Sequence, residues 1–96
     1  MQESELQSEV IRIAEENGHL VFHSTDSRRD IGRGFPDLVI VGRHRALFVE
    51  LKSSTGSRTT EQTGWYYRLI AIGEHVTLWR PKDLANGQVE AVLAEL

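Results

Sequence analysis

The sequence predicts an α/β fold in which a small mixed β-sheet is flanked by helices. Three observations predict it. Residues 3–16 have the apolar periodicity of an amphipathic helix, and residues 59–72 form a second helical segment. Residues 37–41 and 46–52 are apolar runs joined by a short polar turn, which is typical of a β-hairpin. One short strand before the hairpin and one after the second helix complete the order helix, strand, strand, strand, helix, strand, as expected for helices packed on a sheet.

The first helix is predicted by apolar residues that fall on one face of a helical segment, namely Leu6, Val10, Ile13 and Ala14. Asn17 and Gly18 are residue types that commonly end a helix. Ser4 and Gln7 have the spacing of a capping box, and in that case the helix begins at Glu5.

A short strand is expected at residues 20–23, followed by a long polar loop at residues 24–35 that is rich in charge and glycine. Long loops in compact domains are often functional. Gly32 and Gly34 would let the backbone of this loop approach a ligand closely.

The hairpin has a predicted register, because its turn at residues 42–45 is short, polar and begins with glycine. If the turn is symmetric, Val41 pairs with Ala46. Counting outward from that pair places Asp37 directly opposite Glu50. The first strand of the hairpin, residues 37–41, is apolar on both faces, which predicts an interior position in the sheet.

Opposed residues of an antiparallel pair share a face, so the Asp37 and Glu50 carboxylates are expected to be close together. Side chains alternate along a strand, so Lys52 lies on the same face as Glu50, whereas Leu51 points into the core. Two opposed carboxylates repel each other, and a divalent cation between them would remove the conflict. The alternative is that both acids are solvated residues at strand ends, with Lys52 as a surface partner of Glu50.

The second helix, residues 59–72, begins near Thr59 or Thr60, which are N-cap residue types, and ends before Gly73. A strand at residues 75–80 follows and is ended by a proline. The tail after it is expected to form a short helix, or in part a strand.

The chain has 96 residues, which predicts one domain spanning residues 1–96. It has no cysteine, so disulfides and thiolate metal sites are excluded, and a cytoplasmic location is expected. No apolar stretch has the length of a membrane span, and the polar N-terminus does not resemble a secretory signal.

The net charge of −3 hides an uneven distribution. Residues 28–58 contain seven Arg or Lys and three Asp or Glu, whereas the rest of the chain is strongly acidic. A localised basic region of this kind suits phosphate binding. Its members are Arg28, Arg29, Arg33, Arg43, Arg45, Lys52 and Arg58.

The spacing Pro36-Asp37, then Glu50-Leu51-Lys52, resembles the motif of the PD-(D/E)XK nuclease superfamily. Further features are similar to the VRR-NUC domains of phage, bacterial and DNA-repair nucleases, in particular the small stand-alone type. The similarity covers roughly residues 3–80. These features are an N-terminal helix that opens with Glu3 to Gln7, the block from Gly34 to Asp37, a polar segment with Gln62 and Trp65, and a final strand from His75 to Arg80.

The resemblance implies a restriction-endonuclease-like fold and a Mg²⁺- or Mn²⁺-dependent DNA endonuclease. It implies that Asp37, Glu50 and the backbone carbonyl of Leu51 bind the metal, with Glu3, or instead Glu5, supporting it directly or through water. Lys52 would orient the attacking water or stabilise the phosphoryl group. Gln62 would donate a hydrogen bond to a phosphate oxygen or hold the water. The alternative is that Gln62 is an exposed residue in the first turn of the second helix and has no role in the site. These roles complete the predicted site, whose catalytic members are Asp37, Glu50, Lys52 and Gln62.

The basic residues proposed to contact DNA are Arg28, Arg29, Arg33, Arg43, Arg45 and Arg58, of which the first three belong to the glycine-containing loop. Small stand-alone members of the resembling branch imply a homodimer that resolves four-way (Holliday) junctions in a bacterial or phage-infected cell. Other readings are a nuclease for flaps or other branched DNA in phage replication or repair, a non-catalytic DNA-binding module, and a metal-independent RNA-cleaving relative. The paired acids disfavour the last.

Overall fold

A computed structural model describes residues 1–24 and 31–96 of the protein, so the predicted DNA contacts of Arg28 and Arg29 lie outside the described residues. The described part has eight elements, of which the first six follow the predicted order and the last two are helices of the tail. They are α1 (Glu3–Glu16), β1 (Leu20–His23), β2 (Leu38–Val41), β3 (Ala46–Leu51), α2 (Thr60–Ala71), β4 (His75–Trp79), α3 (Pro81–Ala85) and α4 (Gln88–Glu95).

The four strands form one mixed sheet with the order β1-β2-β3-β4. The pairs β1–β2 and β2–β3 are antiparallel, whereas β3 and β4 are parallel. A parallel pair needs a long crossover connection, and α2 supplies it between β3 and β4. The predicted α/β class, the mixed sheet and the interior position of β2 are therefore confirmed.

The hairpin has the predicted register. Val41 pairs with Ala46, and Leu38 pairs with Val49 at the other end of the ladder. The turn is closed by a hydrogen bond from the Gly42 N–H to the Arg45 carbonyl, at 2.9 Å.

The hydrophobic core lies between one face of the sheet and the helices α1, α3 and α4. The apolar face of α1 is buried as predicted, through Leu6, Val10, Ile13 and Ala14. Alternate residues of β2 and β3 face it, and α4 adds two buried side chains; these residues are Leu38, Ile40, Leu47, Val49, Leu51, Val89 and Leu93. The prediction that Leu51 points into the core is confirmed.

The start of α1 differs from the predicted capping box of Ser4 and Gln7. The helix begins two residues earlier, with Gln2 as the N-cap, and the Glu5 carboxylate accepts a hydrogen bond from the Gln2 N–H at 2.7 Å. Glu5 is the third residue of the helix, and from that position its carboxylate reaches back to the cap. Glu5 is therefore engaged in capping, and whether Glu3 or Glu5 supports a metal stays a prediction.

A second difference follows β4. Pro81 ends the strand but also begins α3, because proline at the first helical position has a compatible φ and needs no hydrogen-bond donor. The tail beyond it is helical, as α4, with no strand among its described residues.

The opposite face of the sheet carries α2. The ring of Phe35 makes edge-to-face contacts with Phe48 of β3, at 6.0 Å, and with Trp65 of α2, at 5.0 Å. The side of the sheet that faces α2 is therefore the one that receives Phe48 and, two residues on, Glu50. Across the described residues, 1–24 and 31–96, no helix is long and apolar enough to cross a membrane.

Candidate active site

Asp37 and Glu50 meet at the end of the hairpin. Asp37 immediately precedes β2, and the register that pairs Leu38 with Val49 continues to place Asp37 opposite Glu50. The Leu51 N–H donates a hydrogen bond of 2.7 Å to Asp37 Oδ2. This bond holds the Asp37 carboxylate against the end of β3, on the side of the sheet that faces α2.

Glu50 is completely buried, which excludes the alternative that it is a solvated residue at a strand end. One carboxylate oxygen, Oε2, accepts a hydrogen bond from Arg58 Nε at 3.0 Å. The other, Oε1, is buried without a hydrogen-bond partner among the described residues. Burial raises the pKa of Glu50 above its ordinary value, and the nearby Asp37 carboxylate raises it further. The positive charges of Arg58 and Lys52 offset part of that rise.

Lys52 lies on the same side of the sheet and is held by the N-terminus of α2. Its Nζ donates a hydrogen bond of 2.8 Å to Gln62 Oε1. The same oxygen accepts from the Thr59 N–H at 2.9 Å, and the Gln62 N–H donates to Thr59 Oγ1 at 3.1 Å. Gln62 is therefore a member of the capping box of α2 and, at the same time, the partner of Lys52. The structure brings Lys52 and Gln62 together, a contact that the sequence analysis did not predict.

Arg58, which was predicted to contact DNA, makes close contacts within the protein, and whether it binds DNA stays a prediction. Its guanidinium forms the ion pair with Glu50, and its central carbon lies 3.9 Å from the centre of the Tyr66 ring. The side chain of Arg58 is only 25% exposed, because Glu50 and Tyr66 enclose it. The sequence analysis does not predict this ion pair, because it assigns Glu50 to a metal and Arg58 to DNA.

Arg80 is a second residue that the sequence prediction missed. From the end of β4, its Nη1 donates to the carbonyls of Ser53 and Gly56, at 2.8 and 2.6 Å. These bonds hold the loop between β3 and α2, which carries Arg58 towards Glu50. A basic residue after a strand has no distinguishing local signal, so only the packed structure reveals this contact.

Gly34 makes a close approach, but its partner is α2. Its φ is +89°, and a Cβ at this position would lie 2.5 Å from the Glu61 carbonyl carbon and 2.7 Å from the Gln62 nitrogen. The glycine thus allows the loop before Asp37 to pack directly on the first turn of α2. Trp65 Nε1 also donates to the Arg33 carbonyl in this loop, at 2.8 Å.

Glu3 is not gathered with the two carboxylates. It is exposed in the first turn of α1, the helix packed on the opposite face of the sheet. Within residues 1–24 and 31–96, no group of three or more His, Cys, Asp or Glu side chains is arranged to hold a metal ion. Any support of a metal by Glu3 stays a prediction.

The remaining predicted DNA contacts are spread over the surface. Arg43 and Arg45 lie in the hairpin turn, at the other end of β2 and β3 from the carboxylates, which is about 15 Å at the usual rise per residue. Arg43 also donates to the Asn17 carbonyl, at 3.1 Å, beyond the end of α1. Arg33 is exposed beside α2. Whether these residues bind DNA stays a prediction.

Comparison with known proteins identifies the fold. No protein-family model matches the chain, and no curated protein matches it. A solved structure described as a VRR_NUC domain is similar over 90% of this chain and 92% of its own, with a TM-score of 0.72 and 24% sequence identity. The chain therefore has the restriction-endonuclease-like fold of a VRR_NUC domain, as its motifs predicted.

Proposed function

We propose that this protein is a metal-dependent endonuclease that hydrolyses phosphodiester bonds in DNA. The observation that carries the proposal is the pair of opposed carboxylates, Asp37 and Glu50, with an oxygen of Glu50 buried and without a partner among the described residues. The fold shared with a VRR_NUC domain supports the same conclusion, since that description refers to a nuclease.

The donor set suits a hard divalent cation. Buried polar atoms in folded proteins are nearly always paired, so the Glu50 Oε1 atom calls for a partner. Mg²⁺ and Mn²⁺ prefer carboxylate and carbonyl oxygens. Asp37, Glu50 and the backbone carbonyl of Leu51 would hold the ion. When bound, it would polarise the scissile phosphate and lower the pKa of a bound water molecule.

The chain itself supplies a fixed positive charge through Lys52. Its ammonium group is held by Gln62 at 2.8 Å, so it is oriented before any substrate arrives. In that position it would stabilise the negative charge that builds on the phosphoryl oxygens, or orient the attacking water. Gln62 would be a positioning residue, because it acts through Lys52 and is itself fixed by the α2 N-cap.

The substrate is proposed to be branched DNA, bound by the basic region and cut by a homodimer. Basic residues concentrate in the part of the sequence that contains Asp37 and Glu50, which suits a polyanionic substrate. A two-fold dimer would present two active sites to a two-fold junction, so paired nicks would follow from the geometry.

The proposal is tested by incubating the protein with labelled four-way junction, flap and linear duplex DNA, in Mg²⁺, Mn²⁺ or EDTA. We expect metal-dependent cleavage by the wild type and none by Asp37→Asn, which should still bind the DNA because the change removes carboxylate–phosphate repulsion. Symmetric nicks in the junction alone would support the resolvase. Cleavage of flaps or linear DNA would keep the nuclease and discard the resolvase.

Two results would overturn the assignment. An Asp37→Asn variant that cuts normally would remove Asp37 from the active site. Cleavage that survives EDTA would exclude the metal-dependent mechanism. If no substrate is cut but DNA is bound tightly in every metal, the protein is a binding module with a nuclease fold.

A further inference from the structure

An open groove lies along α2, the helix whose N-terminus holds Lys52. Its volume is about 590 Å³. The groove begins at Glu61, the neighbour of Gln62, whose side chain contacts Lys52 at 2.8 Å. Its lining consists of Arg33, Glu61, Gly64, Trp65, Tyr67 and Arg68.

Gly64 lies in the interior of α2, where glycine weakens a helix relative to alanine. Packing within the described chain does not require this glycine, because a Cβ at position 64 would have no neighbouring atom within 4 Å. The missing side chain instead leaves the helix backbone open to the groove. A glycine at such a place is typical of close approach by a ligand.

The aromatic groups of the groove are available at its surface. Tyr67 is 66% exposed. Trp65 is half-buried, and its ring is fixed by the hydrogen bond to the Arg33 carbonyl and by the edge contact with Phe35 at 5.0 Å. A fixed ring loses little entropy on stacking, so Trp65 is suited to hold a flat group, and the exposed Tyr67 offers a second ring face.

The charged groups of the groove favour an anion. Arg33 and Arg68 contribute two positive charges, and Glu61 contributes one negative charge. Aromatic rings combined with arginines are the features by which proteins bind single-stranded nucleic acids, since the rings stack on bases and the guanidinium groups contact phosphates.

We propose that this groove binds unpaired nucleotides of the DNA substrate, beside the bond that is cut. The inference rests on the proposed nuclease function and deepens it by naming the feature of the substrate that is recognised. Bases within a duplex are stacked on one another and present no free face to Tyr67. The groove would therefore select DNA that has an unpaired segment, such as a flap or an opened junction, over fully paired duplex.

Binding can be measured apart from cleavage by fluorescence anisotropy in EDTA. The probes are fluorescein-labelled oligothymidylate, a single-stranded flap and a blunt duplex of matched length. We expect Tyr67→Ala to weaken binding of the first two by roughly tenfold, the loss typical of one base–aromatic stack. Binding of the blunt duplex should change by less than twofold.

A second variant separates loss of the groove from loss of folding. Gly64→Gln fills the groove while improving the helix propensity of α2, so it should weaken flap binding and yet raise the melting temperature. Ala94→Gln, which adds the same side chain to an exposed position of α4, is the matched control and should bind every probe as the wild type does. Quenching of tryptophan fluorescence by oligothymidylate should accompany binding, because Trp65 lines the groove and Trp79 is buried.

Three results would overturn the inference. In the first, Tyr67→Ala and Gly64→Gln bind the flap with wild-type affinity, and in the second they weaken binding of flap and duplex equally. In the third, Gly64→Gln would convert a dimeric wild type into a monomer, which would assign the groove to a contact between two copies of the chain.

Cleavage assays in Mg²⁺ or Mn²⁺ distinguish this inference from the proposed function. Cleavage by the wild type together with unaltered binding by the groove variants would reject the groove and leave the nuclease standing. Selective loss of flap binding in a protein that cuts no DNA would reject the nuclease and support the groove as a nucleotide-binding site.

Discussion

Replacing Glu50 with glutamine is expected to stabilise the metal-free protein at neutral pH. The wild-type carboxylate is fully buried, and its Oε1 atom has no partner among the described residues. An unsatisfied buried acceptor costs about 1–3 kcal/mol, and more when it is charged. Glutamine removes the charge, relieves the repulsion with Asp37 and places an N–H group on the side chain that can donate to the Asp37 carboxylate.

The substitution also weakens one favourable contact. Arg58 Nε, at 3.0 Å from Glu50 Oε2, would donate to a neutral amide oxygen in place of a carboxylate, at a loss of about 1 kcal/mol. The difference between the two effects leaves a gain of about 1 kcal/mol in the free energy of unfolding. For a domain of this size, that gain corresponds to a rise in melting temperature of roughly 4–8 °C.

The stability advantage of Glu50→Gln over the wild type should increase as pH rises. Burial raises the pKa of Glu50, so the folded protein holds this proton more tightly than the unfolded chain does. The stability associated with the protonated group is fully present below the unfolded pKa and is lost as pH rises through the folded pKa. Glu50→Gln cannot lose it, so the advantage of the variant should be small below the ordinary carboxyl pKa and should grow as pH rises through the raised pKa of Glu50.

Thermal denaturation in EDTA from pH 4 to pH 8, with wild type and Glu50→Gln in parallel, measures this effect. Glu15→Gln, at an exposed position of α1, is the control for the chemical change itself and should show no such trend. Addition of Mn²⁺ should then raise the melting temperature of the wild type, by an amount set by the ion's affinity, but not that of Glu50→Gln. A variant less stable than the wild type at pH 7 in EDTA, or an advantage independent of pH, would refute the reasoning.

Two other substitutions test the packing and the chemistry around this carboxylate. Gly34→Ala should lower the free energy of unfolding by about 2–4 kcal/mol, because it adds strain at positive φ to a clash with the α2 backbone. Gly32→Ala is its control, since position 32 also has positive φ but the added Cβ would have no atom of residues 1–24 or 31–96 within 4 Å; equal losses of melting temperature would remove the clash from the explanation. Lys52→Met should reduce the cleavage rate at saturating DNA by about 10²-fold or more while the melting temperature changes little. A rate within a factor of two of the wild type would exclude Lys52 from catalysis.

Much of the fold was predictable because its elements are specified by local patterns. The bounds of α1 follow from its apolar periodicity, and the start of α2 follows from Thr59 as an N-cap. The hairpin register was predictable for the same reason, since a short turn leaves one pairing between adjacent strands. The two errors were also local: Gln2 caps α1 in place of Ser4, and Pro81 starts a helix as well as ending a strand. A single sequence does not show which of several polar residues near a helix start is the N-cap. It also does not show whether a proline only ends a strand or begins a helix as well.

In the candidate site, too, the local contacts were predictable and the contacts between distant segments were not. The opposition of Asp37 and Glu50 is a property of the hairpin, so the spacing of the two residues in the sequence was enough to predict it. The family motif implied separate roles for Lys52 and Gln62, but not the contact between them, because it joins a strand to a helix across an intervening loop. The ion pair of Arg58 with Glu50 depends on the path of that loop, which Arg80 holds from the end of β4.

By itself, the sequence determined which residues form strands with alternating faces and which form helices. It also determined which two acids face each other across the hairpin. Periodicity and turn length depend on near neighbours in the sequence, so these properties can be predicted without knowing how the segments pack. Only the tertiary structure decided that Glu50 is buried with one oxygen unpaired among the described residues, that Gly34 touches α2, and that a groove opens beside Gly64. Burial and close approach depend on surfaces contributed by segments that are distant in the sequence, and those surfaces exist only when the segments are packed together.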